Sequence, residues 1–209
     1  MSITNERAYT RSPTILYVGH MPILNASNRR RVPWKNGGGM TLEIATDAGT
    51  VGGEWSWRIS IADVPERSTF SVYPGVDRFM MRLEGQHLVI VRGETTDIVP
   101  DTGAALAFAG EEEVVGIPTG PGVRDVNLMM RRDHWRGTLH IVRDSCMRVD
   151  APKVLVYAAH GDLDIHVHGE PDLKSLREEQ TLLCYGCVEI QNTVDSAAIV
   201  CQLWPIDAP

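Results

Sequence analysis

The chain has 209 residues, 43% of them hydrophobic and 22% charged, which is enough to bury a substantial core as one compact unit or two closely packed halves. A formal charge of -7 and a pI near 5.5 argue against nucleic acid as a partner, because phosphate binding needs an electropositive face. No run reaches the roughly 18 apolar residues that span a bilayer, the N-terminus lacks the apolar stretch of a signal peptide, and four cysteines do not make a disulfide framework. A cytoplasmic protein with reduced thiols and no membrane partner is the expectation.

In chain order, residues 1–13 are polar, end on Pro13 and read as a loose arm. From there short β-branched or aromatic runs alternate with Gly, Pro, Asn and Asp at the spacing of an all-β sandwich or barrel. "TILYVGH" (14–20) opens the series, and Arg29 to Arg31 read as a solvated loop face. "RVPWKNGGGMTLEI" (31–44) sets three glycines ahead of a strand-like run. A phosphate loop needs Lys and then Ser or Thr after its last glycine, followed by a helix; here Lys35 precedes the glycines and a strand follows. What remains is a plain turn, or a pocket wall where glycine lets the backbone come close.

"WSWRISIA" (55–62) is the clearest strand, with Trp55, Trp57, Ile59 and Ile61 on one face and Ser56, Arg58 and Ser60 on the other. "RFMMRLEG" (78–85), "HLVIVRG" (87–93), "VNLMMRR" (126–132), "TLHIVRD" (138–144), "KVLVYAAHG" (153–161), "DIHVHG" (164–169) and "AAIVCQLW" (197–204) read the same way. The single predicted helix is short, "PDLKSLREEQTLL" (171–183), with Pro171 near its start and Leu173 and Leu176 at helical spacing. "GIPTGPG" (116–122) interrupts the strand pattern and divides the unit of 14–209 into halves of about 14–115 and 123–209. Two small antiparallel barrels or jelly rolls would account for this without exposed edges.

Charge inside strand context points to the chemistry. A buried arginine is costly unless paired, so Arg58 and Arg78 must be exposed, matched to carboxylates such as Asp77 or Asp125, or held for an anionic ligand. Together Lys35, Arg58, Arg78 and Arg131 exceed what one internal pairing requires.

The segments "WKNGGGMTLEI", "WSWRISIADV", "FSVYPGVDRFMMRLEG" and "DVNLMMRR", in that order between about Arg31 and Arg132, resemble the HutD/Ves family. That resemblance implies a cupin-type fold, with two β-barrel halves forming a bicupin, and brings no cofactor and no established catalytic activity. For the HutD branch it implies control of histidine utilisation through a small anionic metabolite such as urocanate or N-formylglutamate; for the Ves branch, a stress response. The sequence departs from the family at Ser68, where a glycine is usual. Guanidinium holds carboxylate bidentately, and Lys or Asn can complete a second polar end. The expected site therefore gathers Lys35, Asn36, Arg58, Ser60, Ser71, Asp77, Arg78, Asp125, Asn127 and Arg131 around one concavity, with Trp34 and Tyr73 as walls. Asp77 and Asp125 are expected to orient the arginines.

Two other patterns compete. His166 and His168 point to one side of a strand, as metal-binding cupins begin their site, but Glu170 follows too closely and no histidine comes later. "CYGC" (184–187) has zinc-knuckle spacing without a second close pair, so apolar, buried cysteines are the expectation. A non-enzymatic binding regulator is the leading reading, and a cupin enzyme, metal-dependent or isomerase-like, the alternative. A homodimer would suit the fold.

Overall fold

Alternating apolar and polar residues, punctuated by Gly, Pro and Asp, dictate strands throughout, and the computed structural model bears this out. It describes residues 21–34, 39–48, 53–143, 146–193 and 195–206. The expected arm at 1–13, the expected strand at 14–20, and Lys35 and Asn36 lie outside the described residues.

The first strands are β1 (Ile23–Leu24), β2 (Arg30–Pro33), β3 (Met40–Thr46) and β4 (Trp57–Asp63). Next come β5 (Ser68–Thr69), β6 (Val76–Glu84), β7 (Leu88–Arg92), β8 (Thr95–Ile98), β9 (Gly103–Ala104), β10 (Leu106–Ala109) and β11 (Val114–Pro118). The remainder holds β12 (Arg124–Arg131), β13 (Trp135–Arg143), β14 (Cys146–His160), β15 (Leu163–Val167), β16 (Lys174–Leu176), β17 (Thr181–Asn192) and β18 (Ala197–Pro205). Among the described residues the one helical element is a single 3-10 turn, Ala26–Asn28, and no helix is long and apolar enough to cross a membrane.

The helix expected at 171–183 is not formed. Lys174–Leu176 pairs with β15, and β17 starts at Thr181. Residues three apart fall on opposite faces of an extended chain, so Leu176 is fully buried while Leu173 is 52% exposed. The arginine run is also corrected: Arg30 and Arg31 are exposed in β2, but the Arg29 guanidinium lies 5.3 Å from the Tyr157 ring centroid and 3.3 Å from the Glu179 carboxylate.

Three sheets result. One is ordered β10-β6-β12-β4-β3-β2 and a second β5-β11-β7-β8. Between them lies a core that includes Phe70, Met80, Leu88, Ile90, Phe108 and Val114. The third sheet runs β16-β15-β17-β14-β18-β13-β9, with β1 added beside β17. It curls around its own core of Val154, Val156, Ile165, Leu182, Val188 and Val200. The remaining faces of the first and third sheets pack together, Trp57, Ile59, Ile61 and Leu128 against Leu139, Leu155, Tyr157 and Ile199.

Residues 116–122 do not separate the strands of one sheet from those of the next. β12 follows that stretch yet lies between β6 and β4 in the first sheet, whereas β1 and β9 precede it and join the third. β4 and β12 are thereby covered on both sides, which explains why their burial is nearly continuous.

Candidate ligand-binding site

On β4, Trp57, Ile59 and Ile61 enter the core between the first and third sheets, so Arg58, Ser60 and Ala62 must face the other way. Antiparallel register carries that second face across the sheet. Asp125 lies opposite Ala62, Asn127 opposite Ser60, and Met129 stands between Arg58 and Arg78. Thr41 of β3 extends the row beside Ala62. Polar groups from β3, β4, β6 and β12 thus share the face turned toward the second sheet. Phe70, Ser71 and Tyr73, from the segment between β5 and β6, complete the walls with Trp34. They enclose a cleft with about 370 Å³ of unfilled space, part of it open to solvent.

Trp34 is fixed by its indole N–H, which donates to Thr41 Oγ1 at 2.9 Å, and by edge-on packing against Phe70 at 5.7 Å between centroids. The last of the three glycines has a defined duty here. A Cβ on Gly39 would come within 2.9 Å of the Trp34 ring, so only glycine lets the strand pass behind it.

The Arg78 guanidinium donates to Asn127 Oδ1 at 2.8 Å and to the Ser71 carbonyl at 3.4 Å, with the Phe108 and Phe70 ring centroids 4.9 and 5.4 Å away. Asn127 in turn donates through Nδ2 to Asp125 Oδ1. Burial pushes the Asp125 carboxyl up to about 7, against the opposing pull of Arg78 and Asn127. Burial also brings Arg78 down to about 10, with the charge of Asp125 acting the other way and that of Arg58 adding to the fall. Arg58 is itself buried, 5.7 Å from the Trp55 ring, which packs against Tyr73. Four buried polar atoms of the cleft have no protein partner: Arg58 Nε, Arg78 Nε, Ser71 Oγ and Asp125 Oδ2. Such groups are costly unless something else satisfies them.

Of the residues expected from sequence, Arg58, Ser60, Ser71, Tyr73, Arg78, Asp125, Asn127 and Trp34 line this one cleft. Asp77 and Arg131 do not. Neighbours on a strand face opposite ways, so Asp77 turns away from Arg78 and accepts from Arg132 Nε at 2.9 Å, orienting that residue instead. Arg131 is exposed at the end of β12, 3.7 Å from Asp133. Thr41, Ala62, Phe70 and Met129 line the cleft without having been expected. Period-two parity with Ser60 and Asn127 is the signal that identifies Ala62 and Met129. A second cavity adjoins the first, sharing Arg58 and Tyr73 and adding Val32, Pro33, Glu43, Ala48, Gly53 and Trp55.

The donor set does not fit a metal cation, because the cleft brings two guanidinium groups together and contains neither His nor Cys. His166 and His168 have ring centroids 5.8 Å apart, and His166 lies on the face of β15 opposite its buried residues. No group of three or more His, Cys, Asp or Glu side chains able to hold a metal occurs among the described residues. All four cysteines are free; Cys184 and Cys201 are buried, Cys187 is half-buried and Cys146 exposed. Burial pushes the Cys184 thiol up to about 12.

Sheets and cleft together define a cupin-type β protein whose barrel cavity is cationic. Oxalate decarboxylase from Lactobacillus farciminis, in a formate complex, shares this fold with a TM-score of 0.61 over 91% of this chain and 88% of that one. At 8% identity the likeness is of fold alone. The HutD family model matches residues 26–202, and the chain belongs to the HutD family. An uncharacterized 21.2 kDa protein from the hutC 3' region of Pseudomonas putida is 33% identical over 179 residues, 84% of this chain and 89% of the relative. Protein Ves of Cronobacter sakazakii is 30% identical over 61% of this chain and 70% of its own length. The structure of HutD from Pseudomonas fluorescens SBW25 matches with a TM-score of 0.71 and 28% identity, covering 90% of this chain and all of that one (100%).

Proposed function

We propose that this HutD-family protein is a non-enzymatic regulator of histidine utilisation that binds a small carboxylate metabolite of histidine degradation, of the urocanate or N-formylglutamate type. The observation that carries the reading is the pair of buried arginines, Arg58 and Arg78, flanking Met129 in one cleft with their Nε atoms unpartnered. A carboxylate between them would offset the burial that depresses Arg78, to which the charge of Arg58 adds, and accept hydrogen bonds from both forks. Ser60, Ser71 and Asn127 supply further polar contacts, and the adjoining cavity beside Trp55 has room for the rest of the metabolite. The P. putida relative's place beside hutC supports the link to histidine utilisation.

Thermal unfolding with urocanate, N-formylglutamate, histidine, glutamate and formate tests this. Saturating ligand should raise the midpoint by about 5–10 °C, the shift that ~2.7 kcal/mol at a hundredfold excess over Kd gives a chain of this size. Arg78→Ala and Arg58→Ala should abolish the selective shift, and incubated ligand should be recovered unchanged. No shift with any of the five would sink the reading. The raised Asp125 carboxyl gives the isomerase-like alternative its one specific support, since a general acid or base works best when poised near neutrality. Turnover of the bound metabolite would decide for that alternative.

A further inference from the structure

Two guanidinium groups would normally hold a neighbouring carboxylate ionised. Asp125 is placed where neither does. It is 1% exposed. Its Oδ1 accepts from Asn127, its Oδ2 has no partner, and Arg78 bonds Asn127 and Ser71 instead, reaching Asp125 only through the intervening amide.

The other charges packed around it are engaged elsewhere, stand further along the sheet or carry the wrong sign. On β6, Arg82 lies opposite Asp125 in register but is taken by Asp101 and the Gly85 carbonyl. On β4, Arg58 stands four register positions away, opposite Met129, while Asp63 adds negative charge and is paired to Arg124, the residue next to Asp125. Arg124 is also held by Glu84. Tyr73, in the wall between β5 and β6, is the remaining ionisable group of the cleft.

An ionised carboxylate with one unsatisfied oxygen in a buried wall is unfavourable, and a second carboxylate drawn in by the arginines would make it more so. A carboxyl group in its acid form turns the same atom into a donor. We propose that Asp125 is protonated in the ligand-bound cleft and donates that proton, in a hydrogen bond, to the bound carboxylate, so that each anion enters together with one proton. The inference rests on the carboxylate-binding reading above. It makes Asp125 a contact of the ligand itself, and it makes the preferred ligand a carboxylate with a free acceptor oxygen beyond those held by the arginines. Burial already lifts the group to about 7 against the pull of Arg78 and Asn127, so a like charge at hydrogen-bond distance raises it further.

Calorimetric titration with N-formylglutamate tests the proposal, because none of that molecule's groups titrates between about pH 5.5 and pH 9. Runs in two buffers of different ionisation enthalpy give the protons taken up on binding. Expected are about one proton per ligand near pH 8.5, a Kd that weakens close to tenfold for each pH unit above about 7, and a flat Kd below about 6. Asp125→Asn should remove both the slope and the proton uptake. Should that variant not fold, an infrared difference spectrum of the unmodified protein, labelled with carbon-13 aspartate, should show a protonated-carboxyl band on binding at high pH. Binding with no proton uptake, or a slope that survives Asp125→Asn, would overturn this inference and leave the carboxylate reading in place. Failure of N-formylglutamate and urocanate to bind at any pH would remove both.

Discussion

Asp125 also leaves a mark on stability that needs no ligand. Its carboxyl titrates near 7 in the folded protein and near 4 when unfolded, so the folded state holds the extra proton between those values. The sign follows directly: stability from this group is fully present below about pH 4 and is lost as pH rises through about 7. Asp125→Asn has no proton to lose. Urea unfolding at a series of pH values should therefore show the variant gaining on the parent from about pH 5 upward, with the difference levelling off above about pH 8 at on the order of a few kcal/mol. A difference that stays constant with pH would mean that Asp125 is ionised throughout. The neighbouring arginine shows why one residue can be legible in sequence and its role not. Arg78 in "VDRFMMRLEG" announces itself as a charge among apolar residues, but nothing in that string tells that Asn127, 49 positions later, interposes itself between guanidinium and carboxyl.

At the level of the strand, parity divides labour. On β4 the odd residues Trp57, Ile59 and Ile61 join the inter-sheet core and the even residues Arg58 and Ser60 line the cleft; on β12 the assignment is reversed. Ile59→Ala should cost about 2–5 kcal/mol, as large-to-small changes in a packed core do, with Kd for the ligand little altered once measured on folded protein. Ser60→Ala should change stability by less than about 1 kcal/mol and weaken binding instead. Urea midpoints and calorimetric affinities on the two variants distinguish these effects, and a similar pattern in both would refute the division. This alternation is the part of the fold that the sequence displays most openly, in "WRISIA"; Trp55, expected on the face of Trp57, precedes β4 and packs instead beside Arg58 and Tyr73. Where the pattern is broken the sequence misleads. Leu173 and Leu176 suggest a helix face, yet Leu173 immediately precedes β16 and Leu176 ends it, on an extended chain; in β17, two cysteines and Gly186, at φ 76, mask a long strand. Asp77 fails as a pocket residue for a reason the sequence does contain, because it cannot share a face with Arg78.

Across the whole molecule the two halves are interleaved rather than laid end to end. The prolines and glycines of 116–122 look like a boundary because they interrupt a local pattern, while strand order is set by pairings distant in sequence, such as β12 with β4 and β1 with β17. A fragment comprising residues 123–209 would carry β12 away from its partners and lack β1 and β9. It should not give the cooperative unfolding transition of the full chain, and circular dichroism against urea will show whether it does. A sharp transition for the fragment would mean that the third sheet needs neither of those strands.

The tryptophans give the molecule an optical readout of its own. Trp34 stands in the cleft wall and Trp55 in the adjoining cavity beneath Arg58, whereas Trp57 is sealed into the opposite face of the same sheet. A bound anion that draws in Arg58, or displaces water from Trp34, therefore alters the emission of two indoles while Trp57 contributes a steady background. Occupancy can be followed in unlabelled protein, and replacing Trp34 and Trp55 one at a time by phenylalanine would tell which chamber the ligand has reached.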